Sequence, residues 1–137
     1  MAIANGLINR PIQKILSKNI CTWFLPKISK LDARKKWIIS SISPKGKIII
    51  DEGALSALNN GKSLLAAGIK DVQGSFNKGD HIKILNNKMT EFARGLSSFS
   101  SDEILKIKGK HSNKINDILG YVSKSEVIHK DDMVLIK

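Results

Sequence analysis

A chain of 137 residues with 42% hydrophobic side chains can build one real core, since single domains commonly run to roughly 100 to 150 residues. No window approaches the roughly 20 consecutive apolar residues a membrane helix needs, so no membrane partner is expected. The 23 basic residues outnumber 12 acidic ones for a net charge of +11, which puts the chain in the electrostatic range of nucleic-acid binders.

Of those basic residues 20 are Lys, and only Arg10, Arg34 and Arg94 are Arg, although Arg is the better fork for phosphate. A+T-rich coding would produce the same surplus of Lys, Ile and Asn without any ligand, so the charge alone leaves both readings open. The amino terminus MAIANGLINR lacks the basic and then apolar pattern of a secretory leader, and the single Cys21 allows no disulfide within the chain. Both features lead us to expect a cytoplasmic location.

In chain order, Met1 to Asn5 read as the end of an apolar strand with Gly6 as its turn. Pro11 stands at a first helical position, and Ile12, Ile15 and Leu16 recur at helical spacing, which predicts a short helix over Pro11 to Lys18. Cys21 to Leu25 is β-branched and aromatic and predicts a strand ended by Pro26, with Cys21 as an inert core thiol. A helix is expected from Leu31 to about Ile42, with Asp32 favourable at its start, Trp37 in the core and Arg34, Lys35 and Lys36 solvated.

Lys47 to Ile50 is the plainest strand signal, with Ile48, Ile49 and Ile50 read as buried. Asp51 is expected to cap a helix reaching about Asn59, with Leu55 and Leu58 inward and Gly61 as its stop. A loop over Lys62 to Gly68 leads to strands Ile69 to Val72 and His81 to Leu85, separated by a turn at Asn77 to Asp80. After a turn at Asn86-Asn87, Glu91 to Phe99 is the longest strand signal, with Gly95 marking a bulge or a close approach. Ser100 and Glu103 have capping-box spacing before a helix to about Lys108 with Ile104 and Ile107 inward. Ser112 is expected to cap a second, with Ile115, Ile118 and Leu119 inward and Gly120 as its stop, and Met133 to Ile136 is the closing strand. Many strands and short helices give a mixed α+β, barrel-like domain over about Leu31 to Lys137.

The chemistry-bearing residues do not name an enzyme. Gly61-Lys62-Ser63 matches the end of a phosphate loop, but the glycine that motif needs five positions before its Gly-Lys pair is Ser56, and a helix rather than a strand enters the loop. Asp51 and Glu52 read as a cap and a first-turn acid, Asp131 and Asp132 as surface loop residues. His81, His111 and His129 share no zinc-site spacing with one another or with Cys21, so no metal is expected.

The segments ARKKWI (Ala33 to Ile38), IIIDEGALSAL (Ile48 to Leu58), GKSLLAAGI (Gly61 to Ile69), GSFNKGDHIKIL (Gly74 to Leu85), ARGLSSFSSDEI (Ala93 to Ile104), GKHSNKINDILGY (Gly109 to Tyr121) and EVIHKDDMVL (Glu126 to Leu135) together resemble the carboxy-terminal part of bacterial glutamate 5-kinase. That part is a PUA domain, a small pseudo-barrel shared with pseudouridine synthases and archaeosine transglycosylases. The resemblance implies a PUA-type pseudo-barrel over 31–137, preceded in 1–30 by a remnant of an amino-acid-kinase α/β domain. Ala2 to Gly6 resemble that domain's last strand, and Thr22, Phe24 and Leu25 its final strand; Cys21 stands where the family usually has Gly.

The family enzyme phosphorylates glutamate from ATP with Mg²⁺ in the first step of proline synthesis, and its nucleotide and glutamate residues lie in the part that precedes this region. No catalytic residue and no cofactor are therefore carried over to this chain, and a regulatory or oligomer-contact role is implied, with a kinase domain in cis or in trans as partner. RNA is the other implied partner, since related modules grip RNA between the first barrel helix and the last strands, which here are Gly53 to Lys62, Leu64 to Gly68 and the strand near Val134. Lys45, Lys47, Lys62 and Lys70 are then the expected phosphate contacts and Arg34, Lys35 and Lys36 a flanking patch, while Tyr121 and Phe99 are expected in the core. Exposed Ile3, Ile12, Ile15 and Leu16 are expected to favour self-association.

Overall fold

The computed structural model describes residues 2–17, 21–25, 27–40, 43–121 and 123–136. The fold is the expected α+β pseudo-barrel. Its centre is a strand whose side chains alternate: in β3 (Gly46–Ile50), Ile48 and Ile50 are fully buried while Lys47 is exposed and Ile49 half-buried. The run of three isoleucines is thus a one-sided strand, because period-two geometry sends Ile49 to the opposite face.

Around β3 lie β5 (Ile69–Gly74), β6 (His81–Leu85), β7 (Glu91–Leu96) and β9 (Met133–Leu135), in the order β5-β3-β6-β7-β9. The β3/β6 pair is parallel and the rest antiparallel, so the chain between β3 and β6 must cross over. That crossover holds helix α3 (Glu52–Asn59) and the short strand β4 (Leu64–Leu65), which pairs with β8 (Glu126–Ile128) as a second, two-stranded sheet. The expected loop over Lys62 to Gly68 is therefore corrected to β4 plus a 3₁₀ turn at Ala66–Gly68. Leu58, Ile104, Ile107, Ile115, Val127 and Ile128 close the barrel from the helical side. Each fully buried Ile or Leu contributes about 1.5 to 3 kcal/mol relative to exposure.

The caps follow the sequence. Asp51 Oδ1 accepts the Ala54 N–H at 2.7 Å. At the other end of α3 the Gly61 N–H donates to the Leu58 carbonyl and the Lys62 N–H to the Ala57 carbonyl, with Gly61 at φ +71°, a left-handed glycine stop. Ser100 and Glu103 form the capping box of α4 (Ser101–Ile107). A 3₁₀ turn at Ser112–Lys114 precedes α5 (Ile115–Leu119), so Ser112 opens that turn instead of capping a helix. Of its expected inward residues Ile115 is buried and Leu119 packs on the core, but Ile118 is exposed. Gly95 is a close approach, since a Cβ there would stand 2.7 Å from Ile128 Cγ2; it pairs in register with Ile82, and the register shift lies further along, where Ile84/Leu85 face Ala93 and Glu91.

Helix α2 (Lys30–Ser40) lies on the outer side of β7 and β9. Ile38 is its buried residue, and Trp37 is half exposed, which corrects the expected core Trp. The indole meets His81 edge-on at 4.5 Å and leaves its other side to solvent. Arg34 reaches Asp132 at 2.6 Å, and Arg94 Nη1 donates to the Ile39 carbonyl at 3.0 Å, pinning both halves of the helix. Ahead of it stand β1 (Ala2–Ile3), α1 (Pro11–Leu16) and β2 (Thr22–Trp23), with β1 and β2 paired antiparallel. Cys21 is half-buried there, outside the core cluster, because the pair β1/β2 has no sheet at its back within the main core. The ends expected at Met1, Lys18, Pro26, Ile42 and Lys137 lie outside the described residues.

His81 Nε2 is buried without a hydrogen-bond partner, and burial holds the imidazole below its ordinary 6.5 against the opposing pull of Asp80. The unfolded chain then binds the proton more readily, so this group's contribution is complete above pH 6.5 and is lost as pH falls through the lowered folded value. His81→Phe keeps the ring against Trp37 and removes the proton. Urea unfolding between pH 7.5 and about 5 is expected to show a stability loss that is smaller in the variant, and equal losses would place the linkage elsewhere.

Candidate functional site

Three clefts with no shared lining residue receive four of the seven candidate basic residues. The first, about 530 Å³, lies between α3 and the 3₁₀ turn, with Ala54, Ala57, Leu65 and Ala67 as its floor. It owes its shape to small side chains: a Cβ on Gly68 would stand 2.4 Å from that of Ala54, so only glycine lets the turn close on the helix. The Asp51 N–H, donating to the Gly68 carbonyl at 3.0 Å, fixes the same junction. Charge sits at the rim, with Lys62 offset by Asp51 and Glu126. The floor suits a planar or apolar group more than an ion.

The second cleft, about 400 Å³, is lined by Leu58, Gly61 and the β9 residues together with Lys35 and Lys130. It flanks the first across the Gly61-Lys62 turn, and the Lys130 N–H donates to Ser63 Oγ at 3.0 Å to tie the two walls. Asp131 lines it, and its neighbour His129 stands 3.6 Å from that carboxylate. The third cleft, about 290 Å³, is lined by Pro44, Lys45, Gly46, Lys47, Gln73, Gly74 and Lys83.

The seven basic residues expected to meet phosphate are therefore dispersed. Lys62 rims the first cleft, Lys35 the second, and Lys45 and Lys47 the third. Arg34 is held by Asp132, while Lys36 and Lys70 are exposed and line none of the three. Sequence reasoning missed Lys83, Lys130 and Glu126. The outward direction of Lys83 was within reach, because the alternation of His81 to Leu85 sets it opposite the buried Ile82 and Ile84, but its place beside Lys47 comes from the β3/β6 register. Phe99 is buried as expected, but Tyr121 is exposed and its hydroxyl donates to Glu103 Oε1 at 2.5 Å. That bond raises the phenol above its ordinary value; burial works against the Glu103 charge, yet Tyr121 and Ser100 hold the carboxyl low. The pair is a clamp between α4 and the end of α5, since Glu103 is also the capping-box acid.

Among the described residues no three His, Cys, Asp or Glu side chains gather as a metal site, and no helix is long and apolar enough to cross a membrane. Ion pairs and caps engage Asp51, Asp80, Glu91 and Glu103.

Residues 46–119 match the family described as PUA domain. Glutamate 5-kinase of Pelagibacter ubique (strain HTCC1062) is 72% identical over 134 residues, which is 98% of this chain and 36% of that protein. Glutamate 5-kinase of Rhodopseudomonas palustris (strain BisA53) is 44% identical over 135 residues, again 98% of this chain and 36% of that protein. The chain thus spans little more than a third of the length of these curated relatives. Among solved structures, a PUA domain from Aeropyrum pernix K1 is similar at 24% identity and a TM-score of 0.47, over 62% of this chain and 41% of that one.

Proposed function

Because the chain belongs to the PUA domain family, we propose that it serves as the non-catalytic module of a glutamate 5-kinase, joined to the kinase portion through its first thirty residues. The observation that carries this reading is the uneven placement of exposed apolar side chains. Leu7, Ile12, Leu16 and Leu25 are each more than three-quarters exposed, and Ile3, Trp23 and Phe24 about half, whereas large apolar side chains of the barrel are mostly buried. Such a concentration marks a surface made for protein contact. A pair of two-residue strands also lacks independent stability in water, and gains it by completing a larger sheet. Most of the length of the glutamate 5-kinase relatives lies outside this chain, and that portion is the partner of matching size, whether in cis or in trans.

In this reading ATP, Mg²⁺ and glutamate bind to the kinase portion, and residues 31–137 modulate it or support oligomer contacts. The purified chain, given ATP, Mg²⁺ and glutamate, is expected to form no glutamate-dependent ADP. Turnover at the rate of an intact kinase overturns the reading.

A second reading, RNA binding, is favoured by the first two clefts. An unstacked base fits the apolar floor beside α3, with Lys62, Lys35 and Lys130 within the same pair of clefts for the backbone. Preference for structured RNA over duplex DNA that persists at moderate salt supports it, and equal affinity for both reduces it to net charge.

A further inference from the structure

We propose that the outer face of the five-stranded sheet carries a site for a phosphate-type oxyanion, centred on Lys47 and completed by Lys45, Lys83 and Gln73. The sheet register builds it. Lys47 on β3 is the partner of Gln73 on β5 and of Lys83 on β6, and Lys83 is the partner of Arg94 on β7. Partners across neighbouring strands stand on one face, about 5 Å apart at Cβ. Three cations therefore stand in a row across three strands, with an amide at the end of it.

Like charges directly opposite in a sheet are destabilising, and the carboxylates at hand only partly relieve them. Glu91 is shared, accepting from Lys83 Nζ at 2.8 Å and from Arg94 Nε at 2.6 Å. Asp80 is taken by Lys45 at 2.9 Å. Lys47 has no ion pair among the described residues. Asp71, two residues before Gln73 on the same face of β5, is taken by Lys108 at 3.4 Å, so Lys45, Lys47, Lys83, Arg94 and Lys108 face Asp80, Glu91 and Asp71, five positive groups against three negative.

That place is a cleft rather than a flat patch. Gly46 and Gly74 are glycines for packing reasons, since a Cβ on the first would strike Phe76 and one on the second would stand 2.8 Å from the Lys45 carbonyl. Their backbone lines the cleft beside Lys45, Lys47, Gln73 and Lys83. At about 290 Å³ the cleft suits a group of phosphate to pyrophosphate size. A phosphate dianion is the class that matches it, because two or three charge-assisted hydrogen bonds from separate lysines need several acceptor oxygens on one centre. The source is either a small phosphorylated compound or a nucleic-acid backbone.

The test is a titration of the ¹⁵N-labelled full chain with pyrophosphate at constant ionic strength, so that general screening is held fixed. Amide shifts are expected to saturate and to concentrate at Lys47, Gln73 and Lys83. Lys47→Gln, an exposed change that leaves the fold intact, is expected to weaken binding about tenfold, as loss of a charged hydrogen bond does. Lys62→Gln, in a different cleft, is expected to leave it unchanged. Shifts that rise without saturating, that spread over all lysines, or that survive Lys47→Gln overturn the site. A single-stranded RNA that displaces pyrophosphate from these amides identifies the source as a backbone phosphate, and one that does not identifies a small phosphorylated ligand. Failure here leaves the RNA reading intact, because that reading rests on the clefts around Lys62.

Discussion

Ile48→Ala is expected to lower the unfolding free energy by about 3 kcal/mol, and Ile49→Ala by less than half of that. The two residues are neighbours in sequence with the same side chain, so propensity and composition cannot separate them. Their faces can: Ile48 is fully buried at the middle of the sheet, pairing with Val72 on one side and Ile84 on the other, while Ile49 is half-buried on the outer face. Truncating Ile48 opens a cavity among β-strand neighbours that cannot collapse, because both flanking strands are fixed by their ladders. Against a total stability of about 5 to 15 kcal/mol, the first change is visible as a large drop in urea midpoint and the second as a small one. Equal losses at the two positions would mean a strand buried on both faces.

The second large effect concerns the first thirty residues. When this chain replaces the matched 134 residues of the Pelagibacter ubique relative, Trp23→Ser combined with Leu25→Ser is expected to weaken the docking of the module by about 2 kcal/mol for each side chain. In the isolated chain the same pair of changes is expected to leave thermal stability within about 0.5 kcal/mol, since both side chains are more than half exposed there. Equal destabilisation in the two settings would show that Trp23 and Leu25 pack against their own barrel and have no partner to meet.

Much of the fold was legible because its signals are local. Asp51, Gly61 and the Ser100/Glu103 box each satisfy backbone groups within one turn, and the structure repeats them residue for residue. The strand His81–Leu85 was legible for the same reason, as strict alternation bounded by turn residues. What failed depends on distant partners. β4 and β8 are two and three residues long and exist only through their mutual pairing, which no window of sequence records. Trp37 lies outside the core because the apolar stripe of α2 is decided by where His81, Arg94 and Asp132 fasten the helix, none of which is near it in sequence. Tyr121 is expected in the core with Phe99, yet its hydroxyl donates at the surface to Glu103.

The candidate site was legible as residue types and not as places. Lys45 and Lys47 fall in one cleft, Lys62 and Lys35 in two others, and the register that stands Lys83 beside Lys47 is a long-range property of a parallel pair. A surplus of lysine gives net charge, but only pairing tells which ammonium groups are shared with Asp80 or Glu91 and which, as Lys47, have no ion pair among the described residues.

The measurement that bears most directly on the account is the glutamate kinase activity of the unaltered exchange, in which this chain stands in for the matched 134 residues of the Pelagibacter ubique enzyme. A soluble protein that phosphorylates glutamate at a rate close to that of its parent is the predicted result. An exchange that folds, retains the fold of both parts and yet has lost phosphorylation altogether would contradict the assignment of this chain as an interchangeable, non-catalytic module of that kinase.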